Sequence, residues 1–209
     1  MVLEIEKNFF RYDKIKIIKK IKKMGGKYGG SYLFKVSGFD TNNFKNIKRL
    51  RVRDEGNKKT LTIKTDGGKY DDEYEINIDD IKTACKMLNI LGFFENDYFE
   101  KIREIYYFND NEFAFDTLPG LGEFLQIESS SEKELKKCIK IFELIENDDS
   151  KNEEKKLYDE FLFDFELYGS LKDRTFNTVY KSAGKLVKKN KTKYIKFIKQ
   201  QMILYDEVK

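Results

Sequence analysis

Charged residues of both signs fall at alternate positions in about seven short stretches of this chain, with apolar residues between them, and no other feature limits the fold as much. Side chains on a β-strand point to opposite faces with period two. Leu3-Glu4-Ile5-Glu6-Lys7-Asn8-Phe9 therefore puts Glu4, Glu6 and Asn8 on one face and Leu3, Ile5 and Phe9 on the other. Leu50-Arg51-Val52-Arg53 repeats the habit with two cations, and a turn at Gly56-Asn57 leads into Leu61-Thr62-Ile63-Lys64. Glu73-Tyr74-Glu75-Ile76 returns to acids, and Phe99 to Tyr107 carries Lys101 and Arg103 on one face. Glu112 to Asp116 sets its two acids against Phe113 and Phe115, and Phe124 to Glu128 has Gln126 and Glu128 in phase. One such strand is ordinary on a protein surface; seven need a common explanation.

Segments with helical spacing separate these strands. Ile17, Ile18, Ile21 and Met24 mark a helix over residues 12–24 that Gly25-Gly26 closes. Asp79-Asp80 caps a second, with a stripe of Ile81, Ala84, Cys85, Leu88 and Leu91 ending at Gly92. A third runs from Ser131 to Ile145 on Leu135, Cys138, Ile139 and Phe142. Ser31 to Val36 reads as one more strand, Gly38 to Asn46 as a loop, and Leu118 to Gly122, which holds the only proline, as a turn. Residues 147–154 form a polar linker, after which Leu157 to Tyr168, Asp173 to Lys188 and Thr192 to Tyr205 are expected to be helices.

If the helices cover the apolar strand faces, the charged faces look either outward on an open sheet or inward on a closed one. A many-stranded antiparallel sheet tends to curl and close, which removes its edges. Closure would line an interior with Glu4, Glu6, Arg51, Arg53, Lys64, Glu73, Glu75, Lys101, Arg103, Asp116 and Glu128. Unpaired buried charge is costly, so such an interior has to be a wet tunnel holding a charged ligand. Convergent Arg and Lys suit a polyanion. The carboxylates beside them would repel it unless a hard divalent cation lay between, as Mg²⁺ does when it joins oxygen ligands to phosphates.

Composition narrows the chemistry further. The chain has no His, which removes Ser-His and Cys-His nucleophile arrangements, His-ligated zinc and the usual neutral-pH proton shuttle. Cys85 and Cys138 both fall in apolar helical patterns and read as free core thiols of a reducing compartment. No signal-peptide pattern opens the chain and no stretch approaches eighteen apolar residues, so a cytoplasmic protein without membrane contact is expected. Eight lysines lie between Lys181 and Lys199, while no acid occurs between Asp173 and Asp206. That run is either a solvated helical face or a contact for nucleic acid or another anionic surface.

The order of these pieces resembles the CYTH superfamily of triphosphate tunnel metalloenzymes, which includes class IV adenylate cyclases, thiamine triphosphatases and inorganic tripolyphosphatases. The likeness runs from Glu4-Ile5-Glu6 through the Arg51/Arg53, Lys64, Glu73/Glu75 and Lys101/Arg103 strands. It ends on Asp116 and Leu121-Gly122-Glu123-Phe124-Leu125-Gln126-Ile127-Glu128. It implies an α+β fold: a closed eight-stranded antiparallel β-barrel with surrounding helices. Residues 1–147 would be the tunnel domain, and residues 148–209 a basic helical extension packed on or beside it. It implies Mg²⁺ or Mn²⁺ held by Glu4, Glu6, Glu128 and Asp116, and a phosphate clamp of Arg51, Arg53, Lys64, Lys101 and Arg103. Glu73 and Glu75 would orient basic side chains or a second metal, and Glu4, Glu6, Lys64 and Arg103 would take part in catalysis. The implied substrates are ATP, tripolyphosphate or thiamine triphosphate, processed by hydrolysis or by cyclisation to cyclic AMP, in a monomer or homodimer. A non-catalytic module binding a polyphosphate, a nucleotide or an RNA 5′-triphosphate is the alternative. Two positions depart from the family pattern: Asn8 replaces the lysine of Glu-x-Glu-x-Lys, and Gln126 replaces the first acid of the final Glu-x-Glu.

Overall fold

The alternating stretches form strands, because each can turn its apolar side to a helix and its charged side to water. The computed structural model describes residues 5–68, 71–145, 159 and 161–209. Its strands are β1 (Ile5–Phe9), β2 (Lys27–Phe39), β3 (Ile47–Asp54), β4 (Lys59–Asp66), β5 (Asp71–Asn77), β6 (Glu95–Phe108), β7 (Asn111–Thr117) and β8 (Glu123–Ser129). They make one antiparallel sheet in the order β1-β8-β7-β6-β2-β3-β4-β5.

The expected closed barrel is instead an open sheet, since no ladder joins β1 to β5 among the described residues. The two ends do approach: Lys64 Nζ on β4 lies 3.8 Å from Glu6 Oε1 on β1. Tyr74 and Ile76 of β5 stay exposed.

The helices are α1 (Lys14–Lys23), α2 (Ile81–Ile90), α3 (Glu132–Phe142), α4 (Phe165–Gly169), α5 (Phe176–Leu186) and α6 (Lys191–Val208). Asp13, Asp80 and Ser131 cap the first three by accepting backbone N–H bonds from Lys16, Thr83 and Glu134. Gly25 ends α1 at φ +85°, a conformation that favours glycine. On one half of the sheet, Ile5, Phe9, Phe113, Phe115, Leu125 and Ile127 pack against Ile17 and Ile21 of α1 and Leu135, Cys138 and Phe142 of α3. On the other half, Leu50 and Val52 of β3 pack under Leu88 of α2. Leu33 and Ile102 meet Phe176 of α5 and Tyr205 of α6. Cys138 is buried and Cys85 half-buried, and both are free thiols.

Two elements differ from expectation. Within the helix expected over Leu157–Tyr168, residues 157, 158 and 160 lie outside the described set, and residues 161–164 form a turn and a bridge, Phe163↔Val187. Phe161 and Phe163 are both buried, a period-two placement, and the helix begins only where Asp164 caps it at Leu167 N. Residues 38 and 39, expected in a loop, extend β2 because they pair with β3 and β6. The linker expected at 147–154 lies outside the described residues. The C-terminal helices hold the Leu118–Gly122 turn through its backbone. Tyr194 Oη donates to Gly120 O (2.8 Å), Gly120 N donates to Gln201 Oε1 (2.8 Å), and Tyr168 Oη donates to Pro119 O (3.1 Å). Among the described residues, no helix is long and apolar enough to cross a membrane.

Candidate functional site

With the helices on one face, the strands turn their charged residues toward two adjoining cavities of about 760 and 400 Å³, which share Glu6, Arg51, Arg53, Arg103 and Glu128 as walls. Lys64, Glu73 and Glu75 line the larger, and Lys101 and Asp116 the smaller. Every sequence-derived candidate within the described residues is thus brought to one place; Glu4 lies outside them. The lysines between Lys181 and Lys199 are exposed and line neither cavity.

Strand register sets the neighbours. Asp116 on β7 is the direct partner of Arg103 on β6. Its carboxylate is fully buried, accepting from Arg103 Nε and Nη2 at 2.7 Å each and from Lys101 Nζ at 2.8 Å. Burial works to raise the Asp116 pKa, but Lys101 and Arg103 outweigh it and hold the group below the usual carboxylate range. Lys101 is pushed down to about 8, by burial first, with Arg103 and Arg53 adding to the effect and Asp116 opposing it. The Phe34 ring lies 5.3 Å from both Lys101 Nζ and the Arg103 guanidinium. Both oxygens of Asp116 are therefore engaged by cations.

Across the groove, β3, β4 and β5 present Arg51–Thr62–Glu75 as one register row. Arg51 Nη2 pairs with Glu73 Oε1 at 3.2 Å, and Lys64 Nζ with Glu73 Oε2 at 2.7 Å. Arg53 pairs with Glu75 and, at 3.1 Å, with Glu55. Arg51 Nε, in contrast, is buried without a hydrogen-bond partner. Burial and the neighbouring Arg53 push its guanidinium down to about 10, against the pull of Glu73. A buried N–H without an acceptor is costly, so this position favours an arriving anion.

The acids form a second row. Glu6 on β1 faces Glu128 on β8, which faces Glu112 on β7. Like charges directly opposite destabilise a sheet, and Glu112 is raised by burial and then by Glu128. Arg103 Nη1 stands 3.7 Å from both Glu112 and Glu128, and its Nη2 donates to Gln126 Oε1 at 2.6 Å. Gln126 Nε2 in turn donates to Glu6 Oε2 at 3.0 Å. These carboxylates are hard oxygen donors of the kind Mg²⁺ and Mn²⁺ take. Among the described residues, however, no three acids converge on a single point.

Two groove residues were left out of the expected lining although the sequence signal for them was present. Glu112 is in phase with Asp116, and Arg49, which lines the smaller cavity, is in phase with Arg51 and Arg53. The aromatic wall of Tyr32 and Phe34 had no such signal, because β2 carries no charge alternation.

Comparison with known proteins places these residues in a family. Residues 39–158 match the CYTH domain. A Methanocaldococcus jannaschii protein named "Putative adenylate cyclase MJ0240" is 33% identical over 138 residues, covering 62% of this chain and 78% of its own. Among solved structures, the PH1012 protein of Pyrococcus horikoshii aligns with a TM-score of 0.58 and 27% identity over 70% of this chain and 92% of its own. A Vibrio parahaemolyticus structure described as "a putative adenylate cyclase" aligns with a TM-score of 0.59 and 19% identity over 72% and 96%, a likeness of fold.

Proposed function

Because the chain belongs to the CYTH family, we propose that it is a divalent-metal-dependent enzyme that hydrolyses a nucleoside or inorganic triphosphate in the groove of its sheet. The observation that carries this reading is the buried, acceptor-less Nε of Arg51, whose guanidinium also lies beside Arg53 and Arg49. A phosphate oxygen would accept that N–H.

In this reading Arg51, Arg53 and Lys64 grip the triphosphate from one side, and Arg103 with Lys101 from the other. Glu73 and Glu75 orient the first group through their ion pairs. Asp116 positions the second, holding two buried cations whose mutual repulsion would otherwise drive them apart. Glu6 and Glu128 would each lend a carboxylate to Mg²⁺ or Mn²⁺, which takes one or two protein acids besides substrate phosphates, with Glu112 beside Glu128 and Glu4 as a further sequence-derived candidate. Such an ion, if held there by Glu6 and Glu128, would supply neutralisation of the phosphate charge.

Hydrolysis asks for a phosphate grip, which the charged walls would provide, and a water. Cyclisation of ATP is the second reading, favoured by the name of the M. jannaschii relative. The test is incubation with ATP, tripolyphosphate and thiamine triphosphate under Mg²⁺ and then Mn²⁺. Orthophosphate release supports hydrolysis, and cyclic AMP with pyrophosphate supports the cyclase. No turnover of any of the three overturns both.

A further inference from the structure

The smaller cavity has two unlike ends. Where it adjoins the larger cavity its walls are Arg51, Arg53 and Arg103 with Glu6 and Glu128, and Lys101 lies on the smaller cavity's own side. Farther along they become Phe99, Leu118, Leu121 and Phe124, joined by Tyr168 and Arg174. Those last two residues come from the C-terminal extension, beyond residue 158 where the family match stops.

Their placement follows from the sheet. β7 ends at Thr117 opposite Ile102, so the stretch of β6 before Ile102 has no strand beside it on that side. The extension takes up this edge: Arg174 N donates to Tyr98 O at 2.9 Å, and Glu100 N donates to Arg174 O at 3.2 Å. Immediately after, α5 starts with Phe176 N donating to the Glu100 carboxylate at 3.0 Å. The Arg174 guanidinium pairs with Asp97 and lies 5.7 Å from the Phe99 ring and 5.8 Å from the Tyr168 ring. Tyr168 is itself pinned through its hydroxyl to Pro119 O. Arg174 and Tyr168 are thus tied to the sheet and its turn on one side and border the cavity on the other.

We propose that Tyr168 and Arg174, with Phe99 and Phe124, form a pocket for the base of a nucleoside triphosphate whose phosphates lie among Arg51, Arg53 and Arg103. This rests on the triphosphate reading above and adds the substrate's organic end to it. Aromatic rings and a planar guanidinium both stack on nucleobases. A volume of about 400 Å³ falls within the range of roughly 300–1,000 Å³ usual for small-molecule sites. An inorganic polyphosphate has no group that would use such a surface. The extension therefore sets preference for an organic triphosphate over tripolyphosphate.

The test is calorimetric titration of the full chain with ATP and with tripolyphosphate, using Ca²⁺ in place of Mg²⁺ to slow turnover. Wild type is compared with Tyr168→Leu, Phe124→Leu and Arg174→Lys, each checked for its thermal transition; Phe124→Leu, on β8, keeps the test sound should an extension variant fail to fold. The expected result is a rise of ~10-fold in the ATP dissociation constant, of the size that loss of a stacking partner gives, with tripolyphosphate changed less than about twofold. Equal losses for both ligands, or an unchanged ATP constant, would overturn the pocket while leaving the triphosphate site standing. Failure of wild type to bind either ligand would bring down the triphosphate reading itself, and the pocket with it.

Discussion

Asp116→Asn separates a structural anchor from a metal ligand. The Asp116 side chain is 1% exposed, and its two oxygens meet Arg103 twice and Lys101 once. An asparagine leaves both cations buried against a neutral amide. Removing one partner of a buried ion pair costs about 3–5 kcal/mol, because the remaining charge is stranded. Lys101 softens the loss. Already pushed down to about 8 with Asp116 present, it falls further without the carboxylate and sheds its proton near neutral pH. That leaves Arg103 as the stranded charge and a net cost of about 3 kcal/mol. In a chain of this length, each kcal/mol lowers Tm by roughly 2–4 °C, so the transition should fall by ~6–12 °C. The assay is scanning calorimetry in chelator, where no divalent ion contributes. A change under about 2 °C in chelator, with a large one appearing only in Mg²⁺, would refute the anchor role and return Asp116 to the metal-binding set.

Three further perturbations follow from the same geometry. Anion binding favours protonated Lys101, whose pKa in the free protein is about 8. Tripolyphosphate affinity should therefore weaken as pH rises above about 8, by up to ~10-fold per unit until the raised pKa of the complex is passed; Lys101→Arg should lose that slope, and identical profiles for the two proteins would refute it. Arg51→Gln removes the unpartnered buried donor and should weaken tripolyphosphate binding by ~10- to 100-fold with little loss of Tm, whereas unchanged affinity in a titration would place the anion elsewhere. Glu112→Gln relieves repulsion with Glu128 and should raise Tm in chelator while reducing metal-dependent turnover; a fall in Tm would show that its pairing with Arg103 dominates.

Alternation along short stretches was enough to locate the strands and say which side chains share a face, because that property is local. Closure is not local. It depends on whether strands about sixty residues apart in sequence meet through backbone bonds, and the charge pattern is the same for an open sheet and a closed one. The start of β6 was illegible for a related reason. Glu95-Asn96-Asp97 has low strand propensity and is held extended by pairing with β2, while the side chain of Arg174, a residue from the far end of the chain, pairs with Asp97. Helical spacing took in Phe161 and Phe163 as well, although they alternate with period two over too few residues to stand out from a helical window. For the site, sequence could name Asp116, Lys101 and Arg103 but not their pairing, which comes from the β6–β7 register.

Register also changes the meaning of the two departures from the family pattern. Asn8 and Gln126 are direct cross-strand partners on β1 and β8. A lysine and a glutamate in these places would face each other with opposite charge. Replacing both by amides removes one charge of each sign and leaves the net charge of the groove unaltered. Gln126 then does what a glutamate cannot, accepting from Arg103 while donating to Glu6. Asn8→Lys alone adds a cation opposite a neutral amide, and Gln126→Glu alone adds an acid whose former donor bond to Glu6 becomes a repulsion. The double variant restores the ion pair. A double-mutant cycle on Tm should therefore show favourable coupling of about 0.5–1 kcal/mol, and triphosphate turnover should rise more in the double variant than the single changes add up to. Additive effects on both measures would mean that the two substitutions are independent losses despite their shared register.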